Sequence, residues 1–149
     1  MQKIITNTAE ETKKFAKEFI LHINSGEVIT LSGELGAGKT TFVQGLAEGL
    51  GITNRIISPT FIIMRTYEIH STSKILDLKT FYHVDLYRTS HENDIDGLGL
   101  PEILQDPHVI TVIEWPERMG SRLPKKRWDL QIKNIEGDVR EITYGYLSS

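Results

Sequence analysis

Gly33-Glu34-Leu35-Gly36-Ala37-Gly38-Lys39-Thr40 satisfies the pattern G-x-x-x-x-G-K-[ST] at every specified position. The flanking residues supply the setting that this pattern needs. Val28-Ile29-Thr30-Leu31 is a short β-rich run that stops at Gly33, and beyond the loop Phe42, Val43, Leu46, Ala47 and Leu50 recur at helical spacing. Strand, glycine loop and helix therefore follow one another. Glycines let the backbone curl until several N–H groups share one concavity, and the helix start adds partial positive charge there. A polyphosphate suits such a concavity. Gly33, Leu35, Gly36, Ala37 and Gly38 read as the backbone cradle, and Lys39 as the cation that reaches the β- and γ-phosphates. Thr40 offers a hydroxyl for magnesium, and Thr41 a hydrogen bond to a phosphate nearer the sugar. A dinucleotide site is disfavoured at the same place, because Gly36-Ala37-Gly38-Lys39-Thr40-Thr41 lacks the last glycine of G-x-G-x-x-G.

Outward from the loop, Thr8 to Asn24 carries Phe15, Phe19, Ile20 and Ile23 at helical spacing, with Thr8 and Glu11 as a capping box and Ser25-Gly26 as the stop. Downstream, Ser58-Pro59-Thr60 breaks the chain before two strand candidates, Phe61 to Tyr67 and Phe81 to Tyr87. The polar segment His70 to Lys74 between them suggests a hairpin. Asp94 to Gln105 reads as loop and short helix. Val109 to Ile113 is the most apolar strand candidate, which implies burial on both faces, and Trp115-Pro116 ends it. Trp128 to Ile132 and Val139 to Tyr146 read as final strands around the turn Glu136-Gly137-Asp138.

A chain of 149 residues fits one domain, and its size supports a core without disulfides or a structural metal. The absence of cysteine removes thiol catalysis and Cys-based zinc or iron–sulfur sites, and it suits a reducing compartment. A net charge of −3 argues against broad adhesion to nucleic acid, which needs a basic face. The single basic run, Lys125-Lys126-Arg127, reads as a solvated loop. Met1 to Ile5 gives way to Thr6-Asn7-Thr8 too soon for a leader or a membrane span, so a soluble, cytoplasmic protein is expected.

Magnesium between two phosphates needs a hard oxygen ligand beyond Thr40, and an acid at the end of an apolar strand is the usual source. Two residues meet that description. Glu114 closes the run Val109 to Ile113, and Asp85 interrupts His83-Val84-Asp85-Leu86-Tyr87-Arg88; either could hold the metal or orient the attacking water. Ser58-Pro59-Thr60 follows Lys39 at a spacing where nucleotide switches place a γ-phosphate-sensing hydroxyl, although a plain turn opening a strand explains it too. Trp115, directly after Glu114, is either a core side chain or a lid or partner contact. His22, His70, His83, His91 and His108 contain no i,i+4 pair and read as structural. Asp94-Ile95-Asp96-Gly97 imitates a D-x-x-G switch, yet no N-K-x-D follows to read guanine, so ATP is favoured over GTP.

Gly33 to Phe42, Ser58 to Phe61, His83 to Arg88 and Glu114 to Pro116 together resemble, in order and spacing, the bacterial tRNA threonylcarbamoyladenosine biosynthesis ATPase family TsaE, also called YjeE. The resemblance implies a P-loop NTPase-like three-layer α/β fold with a mixed, partly parallel central sheet, forming one ATPase domain over residues 1–149. It also implies an ATPase, weak alone, that uses ATP and Mg²⁺ to drive or reset a transferase complex of TsaD and TsaB. tRNA would be met only through that complex. By this similarity Thr40 and Glu114 are magnesium ligands, Asp85 is a nucleotide-site acid, Ser58 and Thr60 are switch residues, and Trp115 gains a functional role. Family members also use a residue of the first helix and an arginine of the last hairpin at the nucleotide edge, which correspond to Glu10 and Arg140. The polar insert around His70 to Lys74 departs from the family pattern. A small-molecule P-loop kinase would share the loop but needs an acceptor pocket and usually a basic lid. An ATP-dependent docking switch would show occupancy without turnover.

Overall fold

In the computed structural model, which describes residues 1–56, 63–70, 75–89 and 93–148, the run Val109–Glu114 is buried at every position. Such a strand must be covered on both faces, and the rest of the molecule is arranged to do so. The strands are β1 (Gln2–Thr6), β2 (Val28–Ser32), β3 (Met64–Glu68), β4 (Thr80–Asp85), β5 (Val109–Glu114), β6 (Arg127–Glu136) and β7 (Val139–Leu147). They form one sheet in the order β1-β7-β6-β2-β5-β4-β3. The central β6, β2, β5 and β4 run parallel to one another, whereas β3 pairs antiparallel with β4, β7 with β6, and β1 with β7. The sheet is thus mixed and partly parallel, as expected.

Alternation along the central strands sorts their side chains between two apolar layers. Ile29 and Leu31 of β2, Phe81 of β4 and Ile110 and Val112 of β5 pack with α1 (Ala9–Phe19) and α2 (Lys39–Gly49). Val28, Val84 and Ile113 face the other way, where Ile95, Leu100 and Met119 cover them from α3 (Asn93–Asp96), α4 (Leu100–Gln105) and the 3₁₀ segment Pro116–Arg122. The helices α1 and α2 approach so closely that a Cβ on Gly45 would stand 2.4 Å from the Lys13 carbonyl oxygen and 2.7 Å from the Ala16 Cβ. Phe42 is fully buried beside Phe15 and Phe19, and truncating it to alanine would cost about 3–5 kcal/mol.

Most predicted elements are present with shifted ends. Helix α1 begins after Thr8, whose hydroxyl accepts the Glu11 N–H, but it gives way at Ile20 to a 3₁₀ turn that ends at His22. The hairpin β3–β4 pairs Met64 with Val84 and Glu68 with Thr80. The predicted strand start at Phe61 and residues 71–74 of the polar insert lie outside the described residues. Strand β4 ends at Asp85 rather than Tyr87, because the Leu86 N–H turns to the Glu114 carbonyl and Asp85 caps the Tyr87 N–H. The 3₁₀ segment after Trp115 was not legible as an element in advance.

The opening residues need a larger revision. Gln2–Thr6 is an edge strand paired with β7, and its buried Thr6 hydroxyl shares a 2.6 Å hydrogen bond with Thr12 of α1. Its partner lies at the other end of the chain, so local sequence carries no sign of the pairing. Lys125 and Lys126 are exposed as expected, but Arg127 opens β6 and is half-buried. Among the described residues no helix is long and apolar enough to cross a membrane.

Candidate nucleotide site

Three parallel strands end beside one another, and the candidate residues sit at those ends. Leu31 of β2 is in register with Glu114 of β5, which is in register with Asp85 of β4. The loop from β2 into α2 therefore emerges next to both acids, at the carboxyl edge where open α/β sheets bind ligands. Gly38 caps α2 with φ +100, a conformation that side chains strain to adopt. A cavity of about 440 Å³ opens there, bordered by Gly36, Gly38, Lys39, Thr40 and Thr41 on one side and by Asp85 and Glu114 on the other. Its size lies within the range of small-molecule sites.

Lys39 is 6% exposed and folds back over its own loop, its ammonium donating to the carbonyls of Gly33 at 2.5 Å and Glu34 at 2.9 Å. Burial pushes its pKa below the ordinary lysine value, while the carboxylates of Glu114 and Asp85 pull the other way. The same ammonium lies 4.6 Å from the centre of the Trp115 ring, which also packs against Tyr87 at 5.0 Å. Trp115 holds φ +57 and ψ +50, rare for a bulky residue, and this turn carries the chain from β5 over the loop. Trp115 is half-buried, borders the cavity and also packs against the apolar layer of Val84, Ile113 and Met119.

Glu114 is 2% exposed and Asp85 8%, so both carboxylates are held at the bottom of the cavity. Asp85 accepts the Tyr87 N–H at 3.0 Å. Glu114 accepts a hydrogen bond from His83 Nε2. Among the described residues no three His, Asp or Glu side chains form a closed metal cage. Hard oxygens of Thr40, Asp85 and Glu114 around one open cavity fit instead a cation such as Mg²⁺, which takes few protein ligands and completes its shell with phosphate and water.

Arg140, expected at the nucleotide edge, comes from β7 to the outside of the loop. Its Nε donates to the Ala37 carbonyl at 2.7 Å, and a terminal nitrogen donates to Gly137 at 2.6 Å. It borders the cavity while bracing the loop. Glu10 is exposed on the first turn of α1, and the residue of that turn on the cavity wall is its neighbour Ala9. Gly33 and Ala37 border the adjoining hollow rather than this one. Ser58 and Thr60 lie outside the described residues. His83, read from sequence as structural, is hydrogen-bonded to Glu114, and Arg88, given no role from sequence, borders the cavity; both belong to the run that contains Asp85, whose two-residue alternation was the available signal for His83.

Comparison with known proteins agrees with this architecture. The family model described as "Threonylcarbamoyl adenosine biosynthesis protein TsaE" matches residues 6–142. A Bacillus subtilis protein named tRNA threonylcarbamoyladenosine biosynthesis protein TsaE is 42% identical over 139 residues, spanning 93% of this chain and 82% of the relative. A Treponema pallidum protein of the same name is 35% identical over 141 residues, spanning 95% and 98%. Among solved structures, Bacillus subtilis YdiB matches with a TM-score of 0.79 and 35% identity, over 99% of this chain and 86% of that one.

Proposed function

This chain belongs to the TsaE family of threonylcarbamoyl adenosine biosynthesis proteins, and we propose that it acts in tRNA threonylcarbamoyladenosine formation as a P-loop ATPase. In this reading it binds and hydrolyses Mg-ATP, weakly alone, to drive or reset a transferase complex of TsaD and TsaB. One observation carries it: the phosphate loop at the end of β2 shares a single cavity with Asp85 and Glu114 at the ends of β4 and β5.

The loop N–H groups and the start of α2 receive the phosphates. Lys39 exchanges the Gly33 and Glu34 carbonyls for phosphate oxygens and neutralises their charge. Thr40 and Glu114 would hold magnesium, which when bound would supply positive charge to stabilise the reacting phosphate. Asp85 is then the carboxylate left to accept a hydrogen bond from the attacking water. Trp115 and Tyr87 wall the cavity and keep bulk water from Lys39. Transfer to tRNA belongs to the partners, and tRNA meets this chain only through them.

Reconstitution tests the reading. Purified TsaD and TsaB should sustain many rounds of threonylcarbamoyl transfer only when this chain and ATP are added, and Lys39→Ala should not substitute. Multiple turnovers without the chain, or full rescue by the Lys39 variant, would overturn it.

A further inference from the structure

His83 is wholly inaccessible to solvent, and the face of β4 on which it sits is otherwise built for the α1/α2 core. Phe81 precedes it by two residues, and Val112, its register partner on β5, is equally buried. An aliphatic side chain would suit that position. Two residues further along the same face comes Asp85, and two beyond Val112 comes Glu114, so His83 stands one step behind the pair of acids. Its Nε2 bonds to Glu114 Oε2, whereas among the described residues Nδ1 has no hydrogen-bond partner. Among the described residues the imidazole is thus held by one polar contact, and that contact ends on Glu114.

We propose that His83 is a positioning residue for magnesium: its Nε2–H pins one oxygen of Glu114, fixing the side-chain torsions so that the second oxygen is presented to the cavity shared with Thr40. The proposal rests on the Mg-ATP reading of that cavity. A glutamate has three side-chain torsions, and a carboxylate free to rotate would meet a metal in many orientations, few of them productive. Hydrogen bonds behind a ligand remove that freedom before the metal arrives, and their loss typically costs metal affinity without touching the other ligands. A purely structural histidine would instead matter equally whether or not metal is present.

The test measures binding of a non-hydrolysable fluorescent ATP analogue to the full chain, with magnesium chloride titrated from EDTA upward and thermal unfolding recorded without either ligand. His83→Leu should raise the half-saturating magnesium concentration about tenfold or more, while nucleotide affinity in EDTA stays within about twofold. His83→Gln carries an amide nitrogen near the position of Nε2 and should restore most of the magnesium response. His83→Asn, one carbon shorter, should not. In a Glu114→Ala background His83→Leu should add nothing further.

An unchanged magnesium response in folded His83→Leu and His83→Asn would overturn the proposal. So would an equal loss of binding in EDTA, or a full additional effect when Glu114 is already alanine. If His83→Leu does not fold, the glutamine and asparagine variants decide; if none folds, His83 is a folding residue and the proposal fails. Failure of the underlying reading looks different: Glu114→Ala itself would then keep the wild-type magnesium response.

Discussion

The Lys39 ammonium lies against the Trp115 ring, 4.6 Å from its centre, while its hydrogen bonds go to the Gly33 and Glu34 carbonyls of its own loop. The lysine is therefore preorganised at the loop by contacts that a phosphate can replace. Lys39→Ala should lose nucleotide affinity by about 100-fold, the upper range for hydrogen bonds to a charged group, with the circular-dichroism spectrum unchanged. Calorimetric titration checks it; wild-type affinity in a folded variant would remove the phosphate-loop assignment.

Proton linkage follows from the burial of the same group. Its pKa lies below the ordinary lysine value of 10.5, and bound phosphates favour the ammonium, so nucleotide binding raises that pKa again. Between the two values the free protein carries less than a full proton on Lys39, and binding takes up the missing fraction. At alkaline pH the binding enthalpy should vary with the ionisation enthalpy of the buffer, with the sign of proton uptake, and Lys39→Met should abolish that slope.

Arg140 grips the loop from a strand 103 residues away in sequence, through the Ala37 carbonyl. Arg140→Ala should weaken nucleotide binding about tenfold, the loss expected from one charge-assisted hydrogen bond. Lys at this position should not restore it, since an ammonium cannot reproduce the planar fork that also reaches Gly137. Equal affinity for all three proteins would show that the loop holds its shape unaided.

Thr40→Ala and Glu114→Ala should each shift the magnesium requirement for nucleotide hydrolysis more than nucleotide affinity in EDTA. If both curves superimpose on the wild type, the metal assignment passes to Asp85.

Packing between α1 and α2 predicts a change in stability remote from the site. Gly45→Ala drives a methyl against the Lys13 carbonyl and Ala16, and overpacking of this kind costs about 1–3 kcal/mol. The melting temperature should fall by about 2–4 °C for each kcal/mol lost. An unchanged melting temperature would mean that the two helices separate freely.

What the amino-acid order determined by itself was local chemistry: the loop from Gly33 to Thr40, the helix that buries Phe42, Val43 and Leu46, and the strand that ends in Glu114. Each is written in contiguous residues, where glycine content and periodicity act over a few turns of chain. It also nominated Asp85 and Glu114, but only as alternatives. The tertiary structure decided that both face one cavity, because the parallel register of β4 and β5 brings Asp85 beside Glu114. It alone made Gln2–Thr6 a strand, put Arg140 against the loop, left Glu10 in solvent and turned His83 from a core residue into the partner of Glu114. Strand order and register are set by how two apolar layers close over a sheet, and that closure couples residues far apart in the chain.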